Sequence, residues 1–199
     1  TTLIGHLVKN LNWVKKKSVL LAPTGRAAKV LSSYAGKSSF TIHRKIYFSK
    51  SHTGGAGIQF TLKENKHTNT VFIVDESSMI GDDRQQNKFF ENGSLLNDLV
   101  NYVSSGDDCK LIFVGDTAQL PPVQVNLSPA LSEEELELKF NCKINNFILE
   151  DVVRQQSSSG ILFNATQIRD LLVSDYFDGF KFHLNGFKDI FNIQDGNEF

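Results

Sequence analysis

Short apolar runs that end in small or acidic residues recur along the chain. They cover residues 18–22, 70–75, 110–115 and 145–149. Runs of this length that do not alternate with polar residues are typical of strands buried on both faces of a sheet. We therefore predict about four strands in this chain, with at least one more before Thr1.

Between these runs, apolar residues at intervals of three or four positions indicate helices. Residues 95–103 and 161–173 show this spacing. Strands that alternate with helices favour an α/β fold, with a parallel sheet flanked by helices on both faces. The predicted apolar faces of the first two helices carry Leu3, Leu7, Leu11 and Val14, and then Ala27, Val30 and Leu31.

Two segments depart from this alternation. Residues 49–69 are rich in Gly, Ser, Thr, His and Lys, and within them Ile58, Phe60 and Leu62 alternate with polar residues. We predict an inserted surface loop that carries a short hairpin. Residues 128–139 are acidic and are expected to form an exposed helix, because Ser132 can cap it with Glu135 three positions later.

Composition limits the size of the protein and its partners. A chain of 199 residues with 40% apolar content is long enough for one well-buried domain. Its 21 basic and 22 acidic residues nearly cancel, so contact with nucleic acid has to come from local sites. We find no apolar run of membrane-spanning length and no secretion signal, and we expect a cytoplasmic protein without a membrane partner. Cys109 and Cys142 lack metal-ligand spacing and are expected to be reduced structural thiols.

Two adjacent carboxylates, Asp75 and Glu76, follow the apolar run at residues 71–74. The end of a strand places them at the carboxyl edge of the sheet, where ligands bind in folds of this kind. Adjacent residues leave a strand in opposite directions, so the two carboxylates can have different roles. Asp75 can hold Mg²⁺ through water, while Glu76 can orient and deprotonate the water that attacks a terminal phosphate. A solvated turn is the alternative interpretation of an isolated Asp-Glu pair.

The next run also ends at polar residues, with Gly115, Asp116 and then Gln119. Gly115 allows the backbone and a ligand to approach closely, and Gln119 can donate to a phosphate oxygen and so detect a terminal phosphate. A Gly-Asp turn with Gln119 on the surface is the alternative. Thr1 and Thr2 begin the first helix, as residues that follow the Gly-Lys of a phosphate-binding loop do. Threonine is also an ordinary helix cap.

These segments occur in a fixed order together with LLAPTGRAAKVL at residues 20–31, TIHR at 41–44 and LEDVVRQ at 149–155. In that order they resemble the RecD-like branch of superfamily-one DNA helicases, the class of the exodeoxyribonuclease V alpha subunit. The resemblance extends from Thr1 to about Arg169. It implies a RecA-like P-loop NTPase motor domain over residues 1–175, with the start of the phosphate-binding loop before Thr1. Residues 176–199 would then be a connector towards a second motor domain.

The resemblance also implies roles in nucleotide chemistry. Thr1 matches the magnesium-coordinating threonine that follows the loop lysine, and Asp75 and Glu76 match the metal-binding and water-activating pair. Gln119 matches the phosphate sensor. Arg154 matches the arginine that contacts the terminal phosphate, where its guanidinium group could offset charge developing in phosphoryl transfer. An ordinary surface salt bridge is the alternative for Arg154.

A second group of residues matches the contacts of this family to single-stranded DNA. Thr24, Arg26, Thr41 and His43 offer hydroxyl, guanidinium and imidazole groups that suit a phosphate backbone. Contacts to the phosphate backbone give affinity for DNA without base specificity. His43 is equally suited to be a helix-start residue that is hydrogen-bonded within the core.

The function implied by the resemblance is that of an ATP- and Mg²⁺-dependent DNA helicase motor that moves along single-stranded DNA, in repair or recombination. One alternative is an ATP-gated nucleic-acid-binding or packaging ATPase that does not unwind duplex. Another is a non-catalytic subunit of a nuclease-helicase complex. We expect residues 1–199 alone to be inactive, because the loop lysine would lie before Thr1.

Overall fold

The computed structural model of the protein describes residues 2–51, 58–82, 94–122, 125–149, 159–173 and 179–191. The chain forms two compact units, Thr1–Asn146 and Phe147–Phe199. The predicted domain boundary at residue 175 stays a prediction. Within the described ranges, no helix is both long and apolar enough to cross a membrane.

The first unit is built on a parallel sheet of four strands with the order β2-β1-β5-β6. A separate antiparallel pair, β3-β4, forms a hairpin. The strands are β1 (Lys17–Ala22), β2 (Ser39–Thr41), β3 (Tyr47–Ser51), β4 (Ile58–Leu62), β5 (Thr68–Val74) and β6 (Asp107–Phe113). The helices are α1 (Thr2–Trp13), α2 (Gly25–Ala35), α3 (Ile42–Ile46), α4 (Leu95–Ser104), α5 (Glu133–Phe140) and, in the second unit, α6 (Gly160–Val173).

Strand β5 is buried on both of its faces. Val71 and Ile73 pack in one apolar cluster with residues of α1 and α2. Phe72 and Val74 pack in the other, with residues of α3 and α4. Alternate residues of a strand point to opposite faces, so a continuous apolar run supplies both clusters. The predicted α/β class, a parallel sheet between helices, is confirmed.

The predicted apolar face of α1 is displaced by one residue. Ile4 and Val8 are buried, whereas Leu3 is 55% exposed. A Cβ at Gly5 would lie 3.2 Å from the Tyr34 carbonyl oxygen of α2, so the absence of a side chain there lets the two helices approach closely. This contact selects the Ile4-Val8 row, and only Leu7 and Leu11 of the predicted face pack partly against the cluster. In α2, Ala28 and Leu31 are buried, while Ala27 is half-buried and Val30 is exposed.

One predicted strand is wrong. Residues 145–149 form no strand, and Phe147 and Ile148 are 86% and 80% exposed. The fourth strand is Ser39–Thr41, which pairs with β1. A short apolar run does not specify a strand unless a neighbouring strand pairs with it. Only three residues make up β2, too few to give a pattern in the sequence.

The hairpin predicted within residues 49–69 is confirmed as β3 and β4, in which Tyr47 pairs with Leu62. Its base is fixed to the domain. The Tyr47 hydroxyl donates to the buried Asp98 carboxylate of α4 at 2.6 Å, and the Lys63 backbone N–H donates to the Ile46 carbonyl at 2.7 Å. The base of the hairpin is therefore an ordered part of the first unit.

Side chains cap the starts of α5 and α6. In α5, the Ser132 hydroxyl accepts from the Glu135 N–H at 3.3 Å, as predicted. In the second unit, the Asp189 carboxylate accepts from the Gly160 N–H at 2.8 Å and from the Ser159 hydroxyl at 2.6 Å. The hydrogen bond from Ser159 and then that from Gly160 lower the pKa of Asp189. Residues 179–191 are thereby attached to the start of α6.

Candidate functional site

The carboxyl edge of the sheet carries the predicted carboxylate pair. The Asp75 N–H donates to the Leu21 carbonyl of β1 at 2.9 Å, which continues the ladder one residue past β5. The Asp75 carboxylate accepts from the Glu76 N–H at 3.1 Å, and Asp75 is only 8% exposed. Asp75 is therefore fixed by both its backbone and its side chain.

The backbone at Glu76 is in the left-handed region, with φ 55° and ψ 39°. Few residues other than glycine adopt this conformation, which costs on the order of 1–3 kcal/mol and is often found at functional sites. The chain then turns through the short 3-10 helix Ser77–Met79. Contacts from neighbouring elements hold the turn in this conformation.

The end of β6 supplies some of those contacts. The Ser77 N–H donates to the Val114 carbonyl at 2.9 Å. A Cβ at Gly115 would lie 2.9 Å from the Ser78 backbone nitrogen and 2.8 Å from Leu131 Cδ1. Gly115 thus allows a close approach, as predicted, but the neighbours that require it are the turn after Glu76 and a leucine side chain.

The loop after Gly115 is a hydrogen-bonded turn. The Asp116 carboxylate accepts from the Ala118 N–H at 3.0 Å, and the Asp116 carbonyl accepts from the Gln119 N–H at 3.1 Å. Gln119 is exposed. The structure therefore has the turn that was the alternative interpretation, and it leaves the Gln119 side chain accessible to a ligand.

Thr2, the first residue of α1, is exposed. The two other predicted nucleotide contacts, Thr1 and Arg154, lie outside the described residues.

Thr24 and Thr41 follow β1 and end β2, and both cap helices. The Thr24 hydroxyl accepts from the Ala27 N–H at 3.2 Å at the start of α2. The Thr41 hydroxyl accepts from the Arg44 N–H at 3.2 Å at the start of α3. Because Ala22 pairs with Thr41 in the sheet, the two caps lie on neighbouring strands at the carboxyl edge.

The other two predicted DNA contacts differ in their environment. Arg26 is exposed on the first turn of α2. His43 is half-buried, with its ring centroid 5.8 Å from that of Tyr47. Burial lowers the pKa of His43 below its usual value of 6.5, which favours the uncharged ring. An uncharged ring can still take part in hydrogen bonds.

A basic and aromatic cluster beside α3 was not found in the sequence. The Arg44 and Lys45 cations lie 5.9 and 5.7 Å from the Phe40 ring centroid. Lys63 Nζ lies 5.3 Å from the Phe48 ring centroid and donates to the Arg44 carbonyl at 2.8 Å. Burial and then the charge of Lys63 lower the pKa of Lys45. The hairpin brings Lys63 back to α3, which explains why sequence spacing did not reveal the cluster.

The family profile described as an AAA domain matches residues 1–125, more than half of the chain. The chain belongs to the AAA domain family. An ATP-dependent RecD2 DNA helicase from Deinococcus radiodurans is 34% identical over 108 residues. That alignment covers 54% of this chain and 12% of the helicase. The matches confirm the predicted resemblance to RecD-like helicases and the RecA-like P-loop fold class of this AAA domain.

Proposed function

We propose that this AAA domain is part of an ATP-dependent helicase or translocase motor that moves on single-stranded DNA. The observation that carries the proposal is the carboxyl edge of the sheet, where Asp75 and the strained Glu76 lie beside the loop of Gln119. The AAA domain match over residues 1–125, which include this edge, and the similarity to a DNA helicase support it. The substrate of the reaction would be ATP, with Mg²⁺ as its metal.

The donor atoms at this edge fit Mg²⁺ and a nucleotide. Within the described ranges, no group of three or more His, Cys, Asp or Glu residues could hold a metal. Mg²⁺ in nucleotide sites instead takes one or two carboxylates, with waters and phosphates as its other ligands. Asp75 and the hydroxyl of Thr1 would hold the metal, which supplies charge neutralisation at the phosphates. The N-terminus of α1, at Thr2, offers free N–H groups to a phosphate.

The side chains would then divide the chemistry of hydrolysis. Glu76 would orient a water molecule and take its proton, because a carboxylate next to a bound nucleotide can act as a general base. Gln119 would donate to an oxygen of the terminal phosphate, and Arg154 would offset the charge that develops there. Residues 1–199 alone would hydrolyse ATP negligibly if the loop lysine lies outside them.

Single-stranded DNA would lie across the starts of α2 and α3. Thr24 follows β1 and Thr41 ends the adjacent strand β2, and Arg26 is exposed beside Thr24. The cluster of Arg44, Lys45 and Lys63 with its two phenylalanines adds the cations and rings that suit a nucleic acid. Roles in DNA repair or recombination, association with subunits of a nuclease-helicase complex and a cytoplasmic location belong to the same proposal.

The DNA-binding part of this proposal can be separated from folding by replacing Thr24 with Asp. Aspartate caps helices at least as well as threonine, so the stability of α2 should be retained. Its charge should repel phosphate, and we expect the Kd for single-stranded DNA to rise about tenfold or more. The measurement is fluorescence anisotropy with a labelled oligonucleotide and the full-length protein, next to a thermal melt.

Ser132→Asp is the matched control, because it places the same charge at the cap of α5. It should leave the Kd for DNA unchanged. Equal Kd values for Thr24→Asp and the unmodified protein would remove Thr24 from the DNA interface. A similar rise in both variants would mean that only the net charge matters.

A further inference from the structure

Ser128 is a buried serine that contacts the turn after the carboxylate pair. It is 1% exposed and directly precedes the 3-10 helix Pro129–Leu131. Its hydroxyl oxygen lies 2.8 Å from the Ser77 carbonyl oxygen and 2.6 Å from the Ile80 carbonyl oxygen. A hydroxyl carries one hydrogen, so the two carbonyls share a single donor.

The two carbonyls belong to the two ends of the same short turn. Within it, the Met79 N–H donates to the Glu76 carbonyl and the Ile80 N–H donates to the Ser77 carbonyl, both at 3.1 Å. Ser128 therefore joins the ends of the turn from outside. The hydrogen bond from the Ser77 N–H to Val114 holds the turn from the other side.

Two further residues of the segment 128–139 contact residues next to the turn. Lys139 forms an ion pair with Asp82, three residues after the 3-10 turn ends at Met79. Leu131 packs close to Gly115, since a Cβ on Gly115 would lie 2.8 Å from Leu131 Cδ1. Of these contacts, only the Ser128 hydroxyl bonds to the backbone of the turn itself.

Two features of the turn are energetically unfavourable, so contacts from outside are needed to hold it. The backbone of Glu76 is in the left-handed region, which few residues other than glycine adopt. The Ser78 hydroxyl is buried and has no hydrogen-bond partner among the residues that the structure describes. A buried hydroxyl without a partner favours any rearrangement that gives it one. Without the hydrogen bonds from Ser128, the turn would rearrange to remove the left-handed backbone at Glu76 and to give the Ser78 hydroxyl a partner. Glu76 would move with it.

We propose that Ser128 is a positioning residue that holds Glu76 in place by bonding to both ends of the turn that follows it. This proposal rests on the proposed function, because Glu76 matters for catalysis only if the edge hydrolyses ATP. Ser128 acts on the backbone of the turn and would touch neither the nucleotide nor the attacking water. Its loss should therefore affect turnover more than nucleotide binding.

The test is Ser128→Ala in the full-length protein, measured by ATP hydrolysis with single-stranded DNA. We expect kcat to fall about tenfold or more and KM for ATP to change less than about twofold, since a displaced base loses only transition-state stabilisation. Ser128→Thr, which keeps the hydroxyl, should recover much of the lost kcat. Ser132→Ala is the matched control, because it loses a hydrogen bond four residues away that does not reach the turn.

Hydrogen exchange of the peptide that contains residues 72–82 gives a readout that does not need activity. We expect faster exchange in Ser128→Ala than in the unmodified protein and in Ser132→Ala. Unchanged exchange would overturn the proposal, even in a protein that hydrolyses no ATP. An unchanged kcat, or an equal loss of kcat in Ser132→Ala, would also overturn it. Absence of hydrolysis by the unmodified protein would instead contradict the proposed function.

Discussion

Replacing Glu76 with Gln should abolish most ATP hydrolysis by the full-length protein while leaving nucleotide binding intact. The amide keeps the shape of the side chain but cannot take a proton, and loss of a general base lowers turnover by about 10²–10⁴-fold. The measurement is phosphate release with Mg²⁺ and single-stranded DNA, together with a titration of a fluorescent ATP analogue.

Glu134→Gln makes the same change on the exposed face of α5 and should have no effect on hydrolysis. Unchanged turnover in Glu76→Gln would remove Glu76 from the mechanism. Loss of nucleotide binding in that variant would instead indicate that Glu76 supports the structure of the edge.

Replacing Gly115 with Ala should destabilise the domain and impair hydrolysis at once. The new Cβ would lie 2.9 Å from the Ser78 backbone nitrogen, and a backbone atom cannot move aside as the end of a side chain can. Overpacking of this kind costs about 1–3 kcal/mol. The displaced turn would carry Glu76 with it, so kcat should fall more than the loss of folded protein explains.

Thermal unfolding and phosphate release on the same samples separate these two effects. Gly25→Ala is the control, because a Cβ there would meet nothing within 4 Å. That variant should keep or raise stability, since alanine favours the helix over glycine. A Gly115→Ala protein as stable and as active as the unmodified one would mean that the close approach is not needed.

The sequence predicted the central strands because their patterns are local. Runs such as Val71–Val74 supply both faces of the sheet, and the acidic residues after them mark its carboxyl edge. The cap of α5 was also predictable, because Ser132 and Glu135 are three positions apart. Each of these features is encoded within a few consecutive residues.

Other features depend on contacts between distant residues. Leu3 and Ile4 both belong to regular apolar rows, and only the approach of Gly5 to Tyr34 decides which row is buried. The strand Ser39–Thr41 exists because β1 pairs with it. The exposed apolar run at residues 145–149 has no such pairing, which is why an equally plausible pattern gave no strand.

The candidate site shows the same division. The order of the motifs led to the prediction of Asp75 and Glu76 as nucleotide-site residues and of Thr24 and Thr41 as DNA contacts. The contact of Ser128 with Ser77 spans 51 positions, and no spacing rule connects them. The cluster of Arg44 and Lys63 forms only because the hairpin returns to α3. Contacts between distant residues that restrain the candidate site are therefore harder to predict than the candidate residues themselves.

The most direct test of the central claim is the rate of ATP hydrolysis by the full-length protein as a function of the length of a single-stranded oligonucleotide. A motor that moves along DNA takes more steps before dissociating from a longer strand, so the rate at saturating DNA should rise with length and then level off. A rate that DNA stimulates equally at every length able to bind would indicate an ATP-gated nucleic-acid-binding ATPase instead. No hydrolysis at any length would contradict the assignment of the carboxyl edge as an ATPase site.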